Sequence, residues 1–259
     1  MTRWLRRLWA RTPFGPSTPP PIDDADWQRL LRRVGWARAL DPSAQQSLRR
    51  LTERFLADKA IVPAGGCLLP PERRRLVALL CCQPVLHLGY EWLQGWREVI
   101  VYPGEFRVRR HDYDEDTGVV EEWDDDLVGE SWQRGPLILS WADLRADLDR
   151  PEPGYHVVAH EIAHKLDALD GAMDGMPPLR DTAQRLAWAR DFQTAFDALR
   201  ADLDAQREPA IDAYAAEAPD EFFAVASEYH FSAPDQLRTA FPDVAQHLAR
   251  FYGPPSSTD

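Results

Sequence analysis

The sequence predicts an α+β protein, mostly helical with a small β-sheet, on three observations: helical periodicity in the first third, β-rich runs between residues 99 and 141, and helical periodicity again from Pro153 onward. With 259 residues, 44% of them apolar and ten of them Trp, the chain has ample material for a buried core. No block recurs at the roughly 20- to 50-residue period of repeat proteins.

The first element is an arm. MTRWLRRLWARTPFGPSTPP is basic, lacks an apolar run of about seven or more residues and offers no small-residue cleavage site, so a signal peptide is not expected. Trp4, Leu5, Leu8 and Trp9 are spaced to share one face of a short helix, but the five prolines in residues 13–21 make a tether the simpler expectation. Residues 1–21 are therefore expected as a basic, Pro-rich arm and residues 22–253 as one domain. Within it the divisions are N-terminal helices (22–96), a sheet region (97–141) and a helical part (142–253), followed by a tail at 254–259.

Periodicity predicts helices over 24–40, 42–60 and 70–82, the last opened by Pro70 and carrying Leu76, Leu79 and Leu80 on one side. VIVYPGEFRV and PLILSW then read as strands. Between them lies an acidic stretch from Asp112 to Asp126, expected as a solvated loop, because the DxDxDG spacing of a calcium loop is absent. Residues 182–204 place Leu186, Ala189, Phe192, Phe196, Leu199 and Leu203 three and four apart, a core-facing stripe. A later helix, APDEFFAVASEYHFSAP, starts at Pro219 and Asp220 and stops at Pro234.

Composition narrows the function classes. A net charge of −12 repels a phosphate backbone, so no nucleic acid partner is expected. No stretch of about 18 apolar residues exists, so no membrane span is expected. Three cysteines, Cys67, Cys81 and Cys82, fit reduced thiols in a core and a cytoplasmic location rather than a disulfide framework.

The chemistry-bearing stretch is YHVVAHEIAHKLDALD, residues 155–170. His160 and His164 lie one helical turn apart on one face, so both imidazoles can reach a single ion. Glu161 sits beside them, placed to act on a metal-activated water without being a ligand. Val157, Val158, Ile162, Leu166 and Leu169 give the helix an apolar side that anchors it. Catalytic zinc takes three protein ligands and leaves a position open, so a third ligand is needed. HEIAHKLDALD resembles the metzincin pattern HExxHxxGxxH with Asp170 in the last place, but Asp167 stands where that pattern needs a glycine. The alternative is the later helix, where Glu221 and Glu228, seven residues apart, share a face and either could point at the histidines.

HEIAHKLD followed by the distant EFFAVASEYHFSAP resembles the Mlc titration factor A family of bacterial zinc metallopeptidases, gluzincins related in their catalytic core to anthrax lethal factor. The likeness extends to RLVALLCCQPVL and GPLILSW and leaves out the Pro-rich N-terminus. It implies a zincin-like metallopeptidase domain, one Zn²⁺ held by His160, His164 and Glu221, Glu161 as catalytic base, and Tyr214 as a donor to the oxyanion. A phenol suits that last task as a neutral donor to a developing alkoxide. The thermolysin pattern has an Asp four residues after its Glu ligand to orient a histidine; here that position is Val225, and Asp167 is the expected substitute.

The expectation is thus a peptidase acting on a peptide or protein substrate laid along GPLILSW as an edge strand. Aminopeptidase and endopeptidase action both stay open. The resemblance also implies a transcriptional repressor of the Mlc type as partner, and with it the alternative of a non-catalytic protein that sequesters such a repressor around a structural zinc.

Overall fold

The structure, a computed structural model, describes residues 21–104 and 135–255. The N-terminal arm and the acidic stretch read from the sequence lie outside those residues.

Helix α1 (Asp24–Arg33) starts at Asp23, whose side chain accepts from the Asp26 backbone N–H, and it buries Trp27, Leu30 and Leu31. The single helix expected over 24–40 is two, because Val34 turns extended to bury its side chain and α2 (Gly35–Ala39) begins afresh. A β-branched residue followed by glycine is a weak point for helix propagation. Helix α3 (Pro42–Asp58) is capped by Asp41 and buries Leu48, Thr52 and Phe55.

The chain then leaves the helix earlier than predicted. Lys59 is extended and buried, its Nζ donating to the carbonyls of Leu93 (2.6 Å) and Trp96 (2.5 Å), and residues 60–63 form a strand instead of a last helical turn. This β1 (Ala60–Pro63) pairs parallel with β2 (Glu98–Tyr102), which pairs parallel with β3 (Leu137–Ser140), in spatial order β1-β2-β3. Parallel neighbours need a crossover, and α4 (Pro71–Cys81) supplies it between β1 and β2. Cys67, Cys81 and Cys82 are buried free thiols; burial pushes the Cys81 and Cys82 thiols far up, so they act as apolar filler.

Ser140 ends β3 and caps α5 (Trp141–Asp149). Then come α6 (Val157–Asp167), α7 (Thr182–Asp204), α8 (Pro219–Ser232), α9 (Pro234–Ala240) and α10 (Pro242–Tyr252). Helix α6 packs its apolar side, Val158, Ala159, Ile162, Ala163 and Leu166, between α8 and the sheet. The whole is the mostly helical, zincin-like α+β fold that the sequence predicts. No helix among the described residues is long and apolar enough to cross a membrane.

Candidate metal centre

Helix α6 carries His160 and His164 on one face, and α8 crosses it with Glu221 in its first turn. His160 Nε2 and His164 Nε2 are 3.2 Å apart, and Glu221 Oε2 lies 3.2 Å from the first and 3.3 Å from the second. Three ligand-type atoms thus form a nearly equilateral triangle, a group that could hold a metal ion. Three bare lone pairs do not face one another stably at that distance, so either a metal ion or a proton on an imidazole is shared among them. A tetrahedral ion with zinc-like bonds of about 2.0–2.1 Å holds its ligand atoms about 3.3 Å apart. The donor set fits the metal.

Each ring has a different support. His160 Nδ1 is 2.8 Å from Glu228 Oε1, whereas His164 Nδ1 is 3.9 Å from Asp220 Oδ2, beyond hydrogen-bond length. Burial opposes a charge on His160, but Glu221 and Glu228 outweigh it and hold its affinity for a proton up to about 10. Burial also disfavours the Glu221 carboxylate, and the His160 and His164 rings overcome this, holding it well below the usual carboxylate range.

Glu228 does more than touch His160. Its Oε2 accepts from the His156 backbone N–H at 2.5 Å, at the entry to α6. His156 in turn caps the helix, its Nδ1 accepting from Ala159 N at 3.3 Å, while its Nε2 meets Gln83 Oε1 at 2.9 Å. Burial pulls the proton affinity of His156 down to about 4, so the ring is neutral and Nε2 is the donor to Gln83.

The chain as a whole matches the model of the glucose-regulated metallo-peptidase M90 family over residues 6–253. It is 39% identical over 246 residues to Mlc titration factor A of Escherichia fergusonii, covering 93% of this chain and 90% of that protein. The proteins of that name from Cronobacter sakazakii (41% over 229 residues, 88% and 85%) and Klebsiella pneumoniae (42% over 231, 87% and 84%) are similar. The chain belongs to the Mlc titration factor A family of M90 metallopeptidases. Membership and geometry agree on a His, His, Glu cluster compatible with a metal site.

Around that cluster the M90 chain arranges the other residues singled out in its sequence. Glu161, half-buried, precedes Lys165 by one turn. Lys165 Nζ donates to Gly135 O at 3.0 Å, tying the segment that enters β3 to the histidine helix. Tyr214 stands in a short 3₁₀ turn (Ala213–Ala216) capped by Asp212, partly exposed, with its ring centroid 6.1 Å from that of His160. β3 is an edge strand among the described residues, as GPLILSW was expected to be.

One expectation changes. Asp167 does not orient an imidazole: its Oδ2 accepts from Gly175 N at 2.9 Å. Gly175, at φ +80°, passes so close to α8 that an added Cβ would lie 2.4 Å from Pro219 O, so Asp167 braces the loop on which the first turn of α8 rests. Asp170, the disfavoured alternative for the third ligand, lies outside the cluster. The helix continues unbent through Asp167 (φ −60°, ψ −47°) into a 3₁₀ turn, and Asp170 is exposed, accepting from Ala172 N.

Sequence reading missed Glu228 as the partner of His160 and His156 as the helix cap. Both had a signal. Glu228 shares the helix face of Glu221, and YHVVAHEIAH sets His156, His160 and His164 at a constant spacing of four.

Proposed function

We propose that this chain is a zinc-dependent peptidase that hydrolyses peptide bonds, with one Zn²⁺ held by His160, His164 and Glu221. The observation that carries the reading is the triangle of ligand atoms 3.2–3.3 Å on a side. Zinc would supply Lewis acidity toward the scissile carbonyl and a more acidic water. Glu161, next in sequence to His160, takes the proton of the attacking water and returns it to the leaving amine. Tyr214, beside the His160 ring, donates its phenolic proton in a hydrogen bond to the developing oxyanion. The substrate backbone pairs along β3, whose entry Lys165 fixes against α6. We place the protein in the cytoplasm as a single domain over residues 22–253.

The name its relatives bear supports a second activity, binding of an Mlc-type repressor linked to glucose uptake. In the competing reading this binding is the whole function and the zinc is structural. Metal analysis of purified protein together with a peptidase assay, with and without chelator, separates the two. About one zinc per chain and chelator-sensitive cleavage of a peptide library are expected for a one-site enzyme; stoichiometric zinc with no turnover would leave the binding protein.

A further inference from the structure

Glu228 is buried, and both of its oxygens face hydrogen-bond donors on the segment that carries the histidines. One is the backbone N–H of His156 at 2.5 Å, the other the Nδ1 of His160 at 2.8 Å. The next turn of α8 grips the same segment: Ser232 Oγ accepts from Gly154 N at 3.0 Å and donates to Glu228 O at 2.8 Å. Tyr229 passes against Gly154, where an added Cβ would lie 2.2 Å from Tyr229 Cζ.

We propose that Glu228 is a positioning residue for the metal centre: it keeps the His160 proton on Nδ1, so that Nε2 presents its lone pair to the ion, and it locks the backbone that starts α6. The inference rests on the reading of the cluster as a zinc site. A metal-bound imidazole is oriented and made more basic by the acceptor at its other nitrogen. Among the described residues only His160 has a carboxylate at hydrogen-bond distance there, since the Asp220 oxygen is 3.9 Å from His164 Nδ1. The two rings are therefore unequal ligands, and His160 is the one held from both sides.

The chemistry of the two contacts explains why a carboxylate is required. Both partners donate, so residue 228 must accept twice, and an ionised carboxylate has two acceptor oxygens. A glutamine has one. Glu228→Gln leaves either its NH₂ group facing the His156 N–H, or that group facing Nδ1, which moves the ring proton to Nε2, where the ion would bind.

The test is the zinc dissociation constant by chelator competition, read beside histidine-nitrogen NMR of the wild type. Zinc-loaded wild type is expected to show His160 protonated at Nδ1. Glu228→Gln is expected to bind zinc about 10- to 100-fold more weakly, with the far-UV spectrum and melting of the metal-free protein nearly unchanged. Glu228→Asp, which keeps two acceptors, recovers part of the affinity. Glu152→Gln, the same charge change at an exposed site on the approach to α6, leaves it within twofold. Zinc bound by Glu228→Gln as tightly as by wild type, or a His160 ring without an Nδ1 proton, overturns the proposal. Equal weakening by Glu152→Gln overturns it too, because a general field effect would then suffice. If Glu228→Gln does not fold, the Nδ1 proton of zinc-loaded wild type decides: a downfield, slowly exchanging proton upholds the contact with Glu228, and one that exchanges as fast as that of His164 overturns it. If the wild type binds no zinc, the metal reading fails by itself, and the contact is still tested in the metal-free protein: Nδ1 proton exchange that quickens in the Glu228 variants upholds it, and exchange unchanged by them overturns it.

Discussion

Helices α7 and α8 lie side by side and are built on opposite principles. α7 is the longer, and it buries only a stripe, Trp188, Phe192, Ala195, Phe196 and Leu199. In α8 every residue from Asp220 to Phe231 is buried, and among them are Asp220, Glu221, Ser227, Glu228 and His230. A stripe of apolar side chains is the ordinary way to attach a helix to a core. Buried carboxylates lower stability unless each finds a partner. In α8 the partners of Glu221 and Glu228 are on α6 and at its entry, so the helix that is expensive to bury is the one that arranges the histidines. The difference teaches where to look: α7 contributes apolar packing alone, whereas α8 combines apolar packing with the carboxylates that face the histidines.

Exchanging the kinds of damage should break that contrast if it is wrong. The largest effect is expected at the cluster. Glu221→Gln should remove zinc from the purified protein and abolish cleavage, while the metal-free protein still melts cooperatively. Asp170→Asn, on the exposed turn, should change neither. Glu161→Gln should keep zinc near the wild-type level yet lose turnover by several orders of magnitude, because base and proton shuttle vanish together. Full activity in Glu161→Gln would end the catalytic reading.

Phe192→Ala inverts the pattern. Phe192 stacks on Trp188 at 4.2 Å between centroids and meets Phe222 and Phe223 of α8, so truncation leaves a cavity in an aromatic cluster. A loss of about 3–5 kcal/mol in denaturant unfolding is expected, with zinc affinity per folded molecule unchanged. A parallel loss of zinc affinity would mean that α7 tunes the site as well.

The same contrast explains what could be read in advance. Helices and strands follow from short-range periodicity, so the α+β class was legible in the sequence, but the stripe of α7 only in part: Phe192, Phe196 and Leu199 are buried as expected, whereas Leu186 and Ala189 are exposed and Trp188 and Ala195 take the inner face. β1 was not, because four residues following a helix carry no period, and Lys59 is drawn out of the helix by the distant carbonyls of Leu93 and Trp96. The spacing of His160 and His164 is local. The pairing of Glu228 with His160 spans 68 residues and depends on how two helices cross. Asp167, on the correct side by spacing, is diverted to Gly175 by a loop whose path no local pattern encodes.

Tyr214→Phe should be milder than either glutamate change. Loss of one oxyanion donor costs about 10²- to 10³-fold in turnover, roughly 3 to 4 kcal/mol. It should fall on kcat more than on KM, since the bond forms mainly in the transition state. Unchanged turnover would make Tyr214 a packing residue, and zinc content should be unaffected in either case.

The smallest effect is a pH dependence between about 4 and 6.5 that the buried His230 of α8 should confer. His230, buried among Phe231 and Tyr252, has its proton affinity pulled down to about 4 by burial, only partly offset by a hydrogen bond with the Gly253 backbone. An unfolded His titrates near 6.5. Above that value the ring is neutral in both states and makes no difference to stability. As the pH falls from about 6.5 toward about 4, the unfolded chain takes up a proton that the folded chain refuses, so stability is lost by up to about 1.4 kcal/mol per pH unit. The full loss is about 3 kcal/mol, complete only below the folded value. His156, lowered to about 4 as well, adds a slope of the same sign, whereas Asp147 and Asp167, raised to about 7 by burial, take up protons in the folded state and oppose it over the same window, so the effect of His230 is read as the difference between wild type and His230→Gln in urea unfolding of the metal-free protein. His230→Gln removes the titrating group while keeping a polar side chain, so its stability curve should approach that of wild type as the pH falls. A gap between wild type and variant that stays constant with pH would show that His230 is protonated inside the folded helix, and that the buried face of α8 is more open to water than its burial implies.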